Sequence, residues 1–449
     1  MVAQNAAYTA RVQCSGSSNV SVNDSTIKSV MYISSCAKNQ LSMQRNTFDV
    51  ASGQIPGLGY ALGLCSNTDP SNIAMTGSNK NTFVDTYPLG NTVRFCDAAL
   101  ASGSTWAIDG SSGAVFVATG RLYNSGTLNI GSGAVIKVSN VSYSDAGIHS
   151  KTGSELHVEG TSSDPVIFSS YKDDSIGGDT NTDGSSSSPS AGDYSAPLYL
   201  ENDTEATLDY VQLKYGYRAA MVSGTSTALF NHTLVNYTNY GINVSGGNVN
   251  FRGSFENVSN RAITACDWDG SVDCSVDAAY VDWNRSDGPF NNSNRSNDLV
   301  CGMVTVSPWV YGSVEHDASM YSVLNCNGST APGSSMPANA AYFDQRIGEN
   351  QIYCDGGYAF ACTAITTAMN CLNAAIGLAS STSPFPLPGS SISTTGAAFS
   401  AGTVSAADTY VKGLEYETPA TITLGALSGA ANVIGIVSSL SSAYSSCAP

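Results

Sequence analysis

The sequence predicts a mainly β protein: a right-handed parallel β-helix with β-rich, disulfide-stapled regions on either side of it. Three observations predict this. The first is composition. The chain has 449 residues, of which 42% are hydrophobic and only 12% charged, against roughly 25% charged in an average soluble domain. Such a chain can bury a sizeable core, and its length allows more than one domain. Ser, Thr, Asn and Gly take the surface places of Lys, Arg and Glu, which favours short strands and turns over long helices. The second is a repeat of about 21 residues between 206 and 265. Leu213, Leu234 and Phe255 fall at one phase; Ala220, Gly241 and Ala262 fall at another, followed by Met221, Ile242 and Ile263. A period near 20 means one small unit stacked on copies of itself. The third is strand-like alternation within each unit, as in 206–213 and 241–245. A leucine-rich repeat shares the period, but its several Leu at fixed offsets are absent. In a β-helix, residues one winding apart lie about 4.8 Å apart and pile into ladders.

The elements follow in chain order. Residues 1–104 hold four cysteines and short β-prone runs such as 27–33 and 92–95, and read as a small disulfide-stapled β region. Residues 105–312 read as the β-helix. Its upstream strands are 114–118, 127–130, 134–138, 155–158 and 165–168, each bounded by Gly, Ser or Asn. From 313 the character changes. No Asp, Glu, Lys or Arg occurs between Asp355 and Asp408, nor after Glu417. One helix is expected over 363–379, an extended linker over 380–393, and strands at 410–416 and 420–424. The stretch 420–440 is too interrupted by Ser, Thr, Gly and Asn for a membrane span.

Segment 163–174, the Asp/Gly-rich insertion after it and 206–211 together resemble a coil of bacterial secreted β-helix proteins of the pectate-lyase-like superfamily. Segments 281–290 and 304–309 resemble the closing part of such helices. The usual closing pattern, Asn-Trp-Trp-Gly, is departed from at Asp282 to Arg285. The resemblance covers roughly 105–312 and implies the fold. It leaves activity open, because this fold hosts lyases, hydrolases, adhesins and passive surface proteins.

Twelve cysteines stand at 14, 36, 65, 96, 266, 274, 301, 326, 354, 362, 371 and 447. None forms a CxxC pair, so zinc-ribbon and thioredoxin-like readings fail. An even count without metal spacing points to disulfides and an extracellular or cell-surface location. Local bridges Cys14–Cys36, Cys65–Cys96, Cys266–Cys274 and Cys301–Cys326 are expected, with the connectivity of Cys354, Cys362, Cys371 and Cys447 open. Residues 1–8 carry neither a basic nor an apolar stretch, so an export signal is expected to have been removed or to lie outside this sequence.

Asp179, Asn181, Asp183 and Gly184 match half of a calcium loop, in which alternate oxygen ligands on a tight turn converge on one ion. Ser190 stands where the bidentate Glu belongs, and Asp173, Asp174 or Asp193 compensates for it in this reading. A structural Ca2+ is the one cofactor expected. Asn-x-Ser/Thr acceptors for glycans stand at Asn19, Asn23, Asn140, Asn202, Asn231, Asn236, Asn243, Asn257, Asn284, Asn291, Asn294 and Asn327. The competing reading is that these Asn fill β-helix turns. Tyr210, Tyr215, Tyr217, Tyr237 and Tyr240 crowd the repeat, either stacking on one another or offering faces to sugars.

Catalysis finds little purchase. Of the four histidines, His157 alternates with Leu156 and Val158 and is expected to face solvent. Neither a Gly-x-Ser-x-Gly elbow nor a His-Glu-x-x-His occurs. Paired carboxylates such as Asp173–Asp174 and Asp183 lie in one insertion instead of on successive coils. A net charge of −17 excludes phosphate-driven nucleic-acid binding. The expected function is therefore a non-catalytic protomer of an extracellular filament or cell-surface layer, glycosylated and assembling head-to-tail with itself through its low-charge flank. The alternative is a secreted protein that binds or cleaves polysaccharides.

Overall fold

A computed structural model describes residues 10–326, apart from 18, 51–59, 85–88, 140–144, 267–273, 286–287, 291–297, 307, 312–313, 317–322 and 324–325, and two short pieces at 386–387 and 390–391. The helix expected over 363–379 and the strands at 410–416 and 420–424 lie outside the described residues. Residues 1–332 form one compact unit and 333–449 another. The strands from Ala10 to His316 all belong to the first.

This unit is mainly β, with long parallel sheets. Among the described residues the one helical piece is a 3₁₀ turn at Gly110–Ser112. Three series of strands make up the two large sheets, and two small parallel sheets lie beside them: Val20–Asn23 with Leu41–Gln44, and Thr26–Ile27 with Thr47–Phe48 and Thr82–Phe83. One series runs through Ala10–Gln13, Met31–Ser34, Leu62–Cys65, Thr92–Cys96, Val115–Ala118, Val135–Val138, Val166–Ser170 and Val211–Lys214. A second runs through Thr105–Ile108, Thr127–Gly131, Glu155–Glu159 and Glu205–Asp209. The two merge in the ten-residue strands Thr227–Asn236 and Gly247–Glu256, each of which bends to serve both. The third runs through Ala98–Leu100, Arg121–Asn124, Gly147–Ser150, Leu198–Leu200, Arg218–Val222, Tyr240–Val244, Ile263–Thr264 and Val300–Cys301. Each strand is followed in the chain by one of another series or of a small sheet, so the crossovers that parallel pairing requires are themselves strands.

The ladder runs unbroken across residue 104. Thr92–Cys96 pairs with Val115–Ala118 on one side and Leu62–Cys65 on the other. Half of the N-terminal strands expected as a region apart thus share the large sheets of the rest, and the other half form the two small sheets. Register is fixed by burial, since a slip of one residue would turn every apolar side chain outward. Ile33, Leu64, Phe95, Ala118 and Val138 form one buried column. Ile136, Phe168, Leu213, Val235 and Phe255 form another. Phe255 stacks between Phe251, at 4.5 Å, and Trp283, at 5.3 Å.

The second column corrects the repeat. Leu213 pairs with Val235, not with Leu234, which faces outward half-buried. The chain takes 22 residues from Leu213 to Val235 and 20 from there to Phe255. A register irregularity between Phe230 and Thr233 absorbs the difference. In the third series Ala220 likewise pairs with Ile242, and Met221 with Asn243. The period of 21 averaged unequal passes and misplaced the middle one by a residue.

Turn asparagines form columns of their own. Asn46 Nδ2 donates to Asn81 Oδ1 at 2.8 Å, and Asn81 Nδ2 donates to the carbonyls of Met43 and Ala74. These bonds satisfy buried polar groups where the chain leaves one sheet for the next.

Candidate functional site

Between Val166–Ser170 and Leu198–Leu200 the chain makes its longest described excursion, and all the expected calcium ligands lie in it. Lys137 explains how the excursion is anchored. It points away from the core beside inward Ile136 and Val138, yet it is fully buried. Its Nζ donates to the Gly178 carbonyl at 2.5 Å and to Thr180 Oγ1 at 3.1 Å. Burial draws its ammonium down to about 8, against the opposing pull of Asp173, Asp174 and Asp179.

Three of the ligands converge. Oxygens of Asp174, Asp179 and Asp183 lie within 4.8 Å of one another. Asp174 Oδ1 and Asp183 Oδ1 are buried without a hydrogen-bond partner. Burial and the neighbouring Asp179 and Asp183 charges push the Asp174 carboxyl up. Asp179 receives the backbone N–H groups of Asp183 and Gly184, which closes the turn. An all-oxygen donor set with two unpartnered atoms fits a hard divalent cation. The others are not among the converging oxygens: Asp173 accepts from the hydroxyls of Ser169 and Ser175, and Asn181 turns its amide nitrogen to the cluster, donating to Asp183 and Ser187.

A second cluster lies on the outer face of the third series, where Tyr123, His149 and Tyr199 pair in register. The His149 ring stacks on Tyr199 at 4.1 Å and meets Tyr123 edge-on at 5.9 Å. Its Nε2 lies 2.8 Å from the Asp145 carbonyl and its Nδ1 3.4 Å from Glu201 Oε1. Burial lowers its pKa, so the neutral ring is favoured. Arg121 pairs with Asp145 at 2.6 Å and Lys151 with Glu201 at 2.7 Å. Burial pushes both carboxyls up, but these cations outweigh it and leave each below its ordinary range. The sequence alone assigns this group no role. Its members are 26 and 50 residues apart, and the intervening insertion hides their common phase. His157 sits in the second series, one-third exposed, with Nδ1 2.9 Å from Thr207 Oγ1.

The repeat's tyrosines gather at the corners between sheets. Tyr210, Tyr215 and Tyr237 have left-handed φ of 49°, 65° and 52°, as do Tyr280 and His232. Bulky residues seldom adopt that conformation. Tyr210 stacks on His232 at 4.2 Å and Tyr215 on Tyr237 at 5.6 Å; Tyr217 meets Tyr240 edge-on. Mutual stacking is therefore present, while Tyr217, Tyr237, Tyr280 and Tyr311 keep a third to a half of their surface in solvent.

Eight sequon asparagines are described, and none is buried. Asn19, Asn202, Asn257 and Asn284 are exposed; Asn23, Asn231, Asn236 and Asn243 are half-buried. Asn140, Asn291, Asn294 and Asn327 lie outside the described residues, as do Cys354, Cys362, Cys371 and Cys447. The remaining eight cysteines pair as Cys14–Cys36, Cys65–Cys96, Cys266–Cys274 and Cys301–Cys326. Cys65 and Cys96 face each other in register on neighbouring parallel strands, so their bridge ties one pass of the chain to the next. No described helix is long and apolar enough to cross a membrane.

Comparison with family models, curated proteins and solved structures finds no match.

Proposed function

We propose that this chain is a secreted structural rod: a right-handed parallel β-helix that serves as the protomer of an extracellular filament or surface layer. The observation that carries the reading is the cross-strand staple. Cys65–Cys96 joins register neighbours within a ladder of parallel strands, which suits an oxidising compartment and a stiff shaft. Handedness follows from general chirality, since parallel crossovers are right-handed in about 98% of cases. The outer charge clusters support a passive role. Arg121, Asp145, Lys151 and Glu201 are spent on one another around a neutral His149. The low-charge C-terminal flank supplies the self-association surface, head to tail, and glycans sit on exposed sequons. A calcium ion on Asp174, Asp179 and Asp183 stiffens the insertion. Negative-stain imaging of native material tests the reading: filaments or sheets are expected, and a monomer that persists at high concentration overturns it.

One observation favours a polysaccharide-binding or polysaccharide-cleaving alternative, namely the exposed corner tyrosines, whose faces suit sugar rings. Incubation with pectin, alginate and host glycans, with and without chelator, separates the two; binding or product release favours the alternative.

A further inference from the structure

We propose that Asn257 carries an N-linked glycan whose first sugar lies on the free face of Tyr237. The inference rests on the extracellular reading and adds which acceptor is used and where its glycan packs. Tyr215, Tyr237 and Asn257 occupy the same corner on three successive passes. Lys214 pairs with Asn236, and Asn236 with Glu256. The residue after each is left-handed, with φ of 65°, 52° and 49°. The rings of Tyr215 and Tyr237 lie 15° from parallel, which covers one face of Tyr237. The other face turns toward the pass that holds Asn257. An asparagine is too small to cover it, and Tyr237 remains 47% exposed.

Asn257-Val258-Ser259 is an acceptor triplet, and both Asn257 and Ser259 are exposed. One amide hydrogen of Asn257 is donated to Asn236 Oδ1 at 3.0 Å, which leaves the second for substitution. In the transfer, Asn257 Nδ2 bonds to the anomeric carbon of a lipid-linked glycosyl pyrophosphate. The carbon–oxygen bond to phosphate breaks, the pyrophosphate leaves with the electron pair, and the amide gives up one proton. Asn236, one pass earlier, is closed to this. Burial closes it: Asn236 is half-buried, and the hydroxyl residue of its triplet, Thr238, is fully buried. A pyranose presents C–H bonds on one face, which suit the negative face of an aromatic ring, and hydroxyls at its rim. Ser259 and Asn239, bonded to each other at 3.2 Å beside the corner, offer partners to that rim.

Glycopeptide mass spectrometry on protein from its native source is the first test. A glycan on Asn257 and a bare Asn236 are expected. The second is a double-mutant cycle. Tyr237→Ala should lower the melting temperature by about 2 °C more in the parent than in an Asn257→Gln background. A bare Asn257 among other glycosylated sequons overturns the site and leaves the extracellular reading standing. Glycans on no sequon overturn the glycosylated reading itself. Equal losses in the two backgrounds overturn the packing on Tyr237.

Discussion

His149 shows how a single side chain is fixed by its neighbours on adjacent strands. Its ring is held between Tyr123 and Tyr199, and burial favours the neutral form. The folded state therefore binds fewer protons than the unfolded chain just below the ordinary value of 6.5, and stability falls as pH drops through that window. Asp145, Asp193, Glu201 and Asp277 act lower down. In each, burial opposes the charge but the bonded cation prevails, so their contribution is lost as pH falls through their depressed values. Melting temperature should thus decline in two stages, below about 6.5 and again below about 4. In His149→Phe the first stage should flatten while the second stays, as calorimetry across pH 3–8 would read. The insertion makes a second prediction at this scale. Adding Ca2+ should raise the melting temperature of the parent and not of Asp179→Asn; no rise in the parent would remove calcium from the insertion.

Strands and ladders explain where sequence reading succeeded. Parallel, short-stranded architecture was legible because alternation and small polar turns leave a trace in any register. The columns were less legible, because passes of 22 and 20 residues average to 21 and hide which of two neighbours points inward. Leu234 and Val235 are equally apolar, and only pairing distinguishes them. The contrast is measurable. Phe255→Ala should cost about 3–5 kcal/mol, as a buried aromatic truncation does. Leu234→Ala should cost under about 1 kcal/mol, as most substitutions outside the core do. Denaturant midpoints would reveal the difference, and equal costs would contradict the register. The acidic cluster was partly legible, since the calcium-loop spacing pointed to Asp179 and Asp183. That Asp173 turns to Ser169 and Ser175 instead is set by packing under the insertion. The His149 cluster left no local trace at all, being assembled across passes of unequal length.

At the scale of the whole unit, the Cys65–Cys96 disulfide and the ladders act along one direction. Double replacement of Cys65 and Cys96 by Ala should lower stability by about 2–4 kcal/mol, read by denaturant unfolding under non-reducing conditions. The proposed rod places about 12 passes at about 4.8 Å each, a shaft of roughly 50–60 Å. Such a rod needs only an end-to-end contact to polymerise, and a contact that does not close on itself gives a filament. The most direct measurement is a side-chain-resolution cryo-EM map of native material. It should contain repeating copies of a continuous parallel β coil, joined end to end through the low-charge flank. Solitary molecules at every concentration, or a shaft made of antiparallel sheets, would contradict the proposed rod.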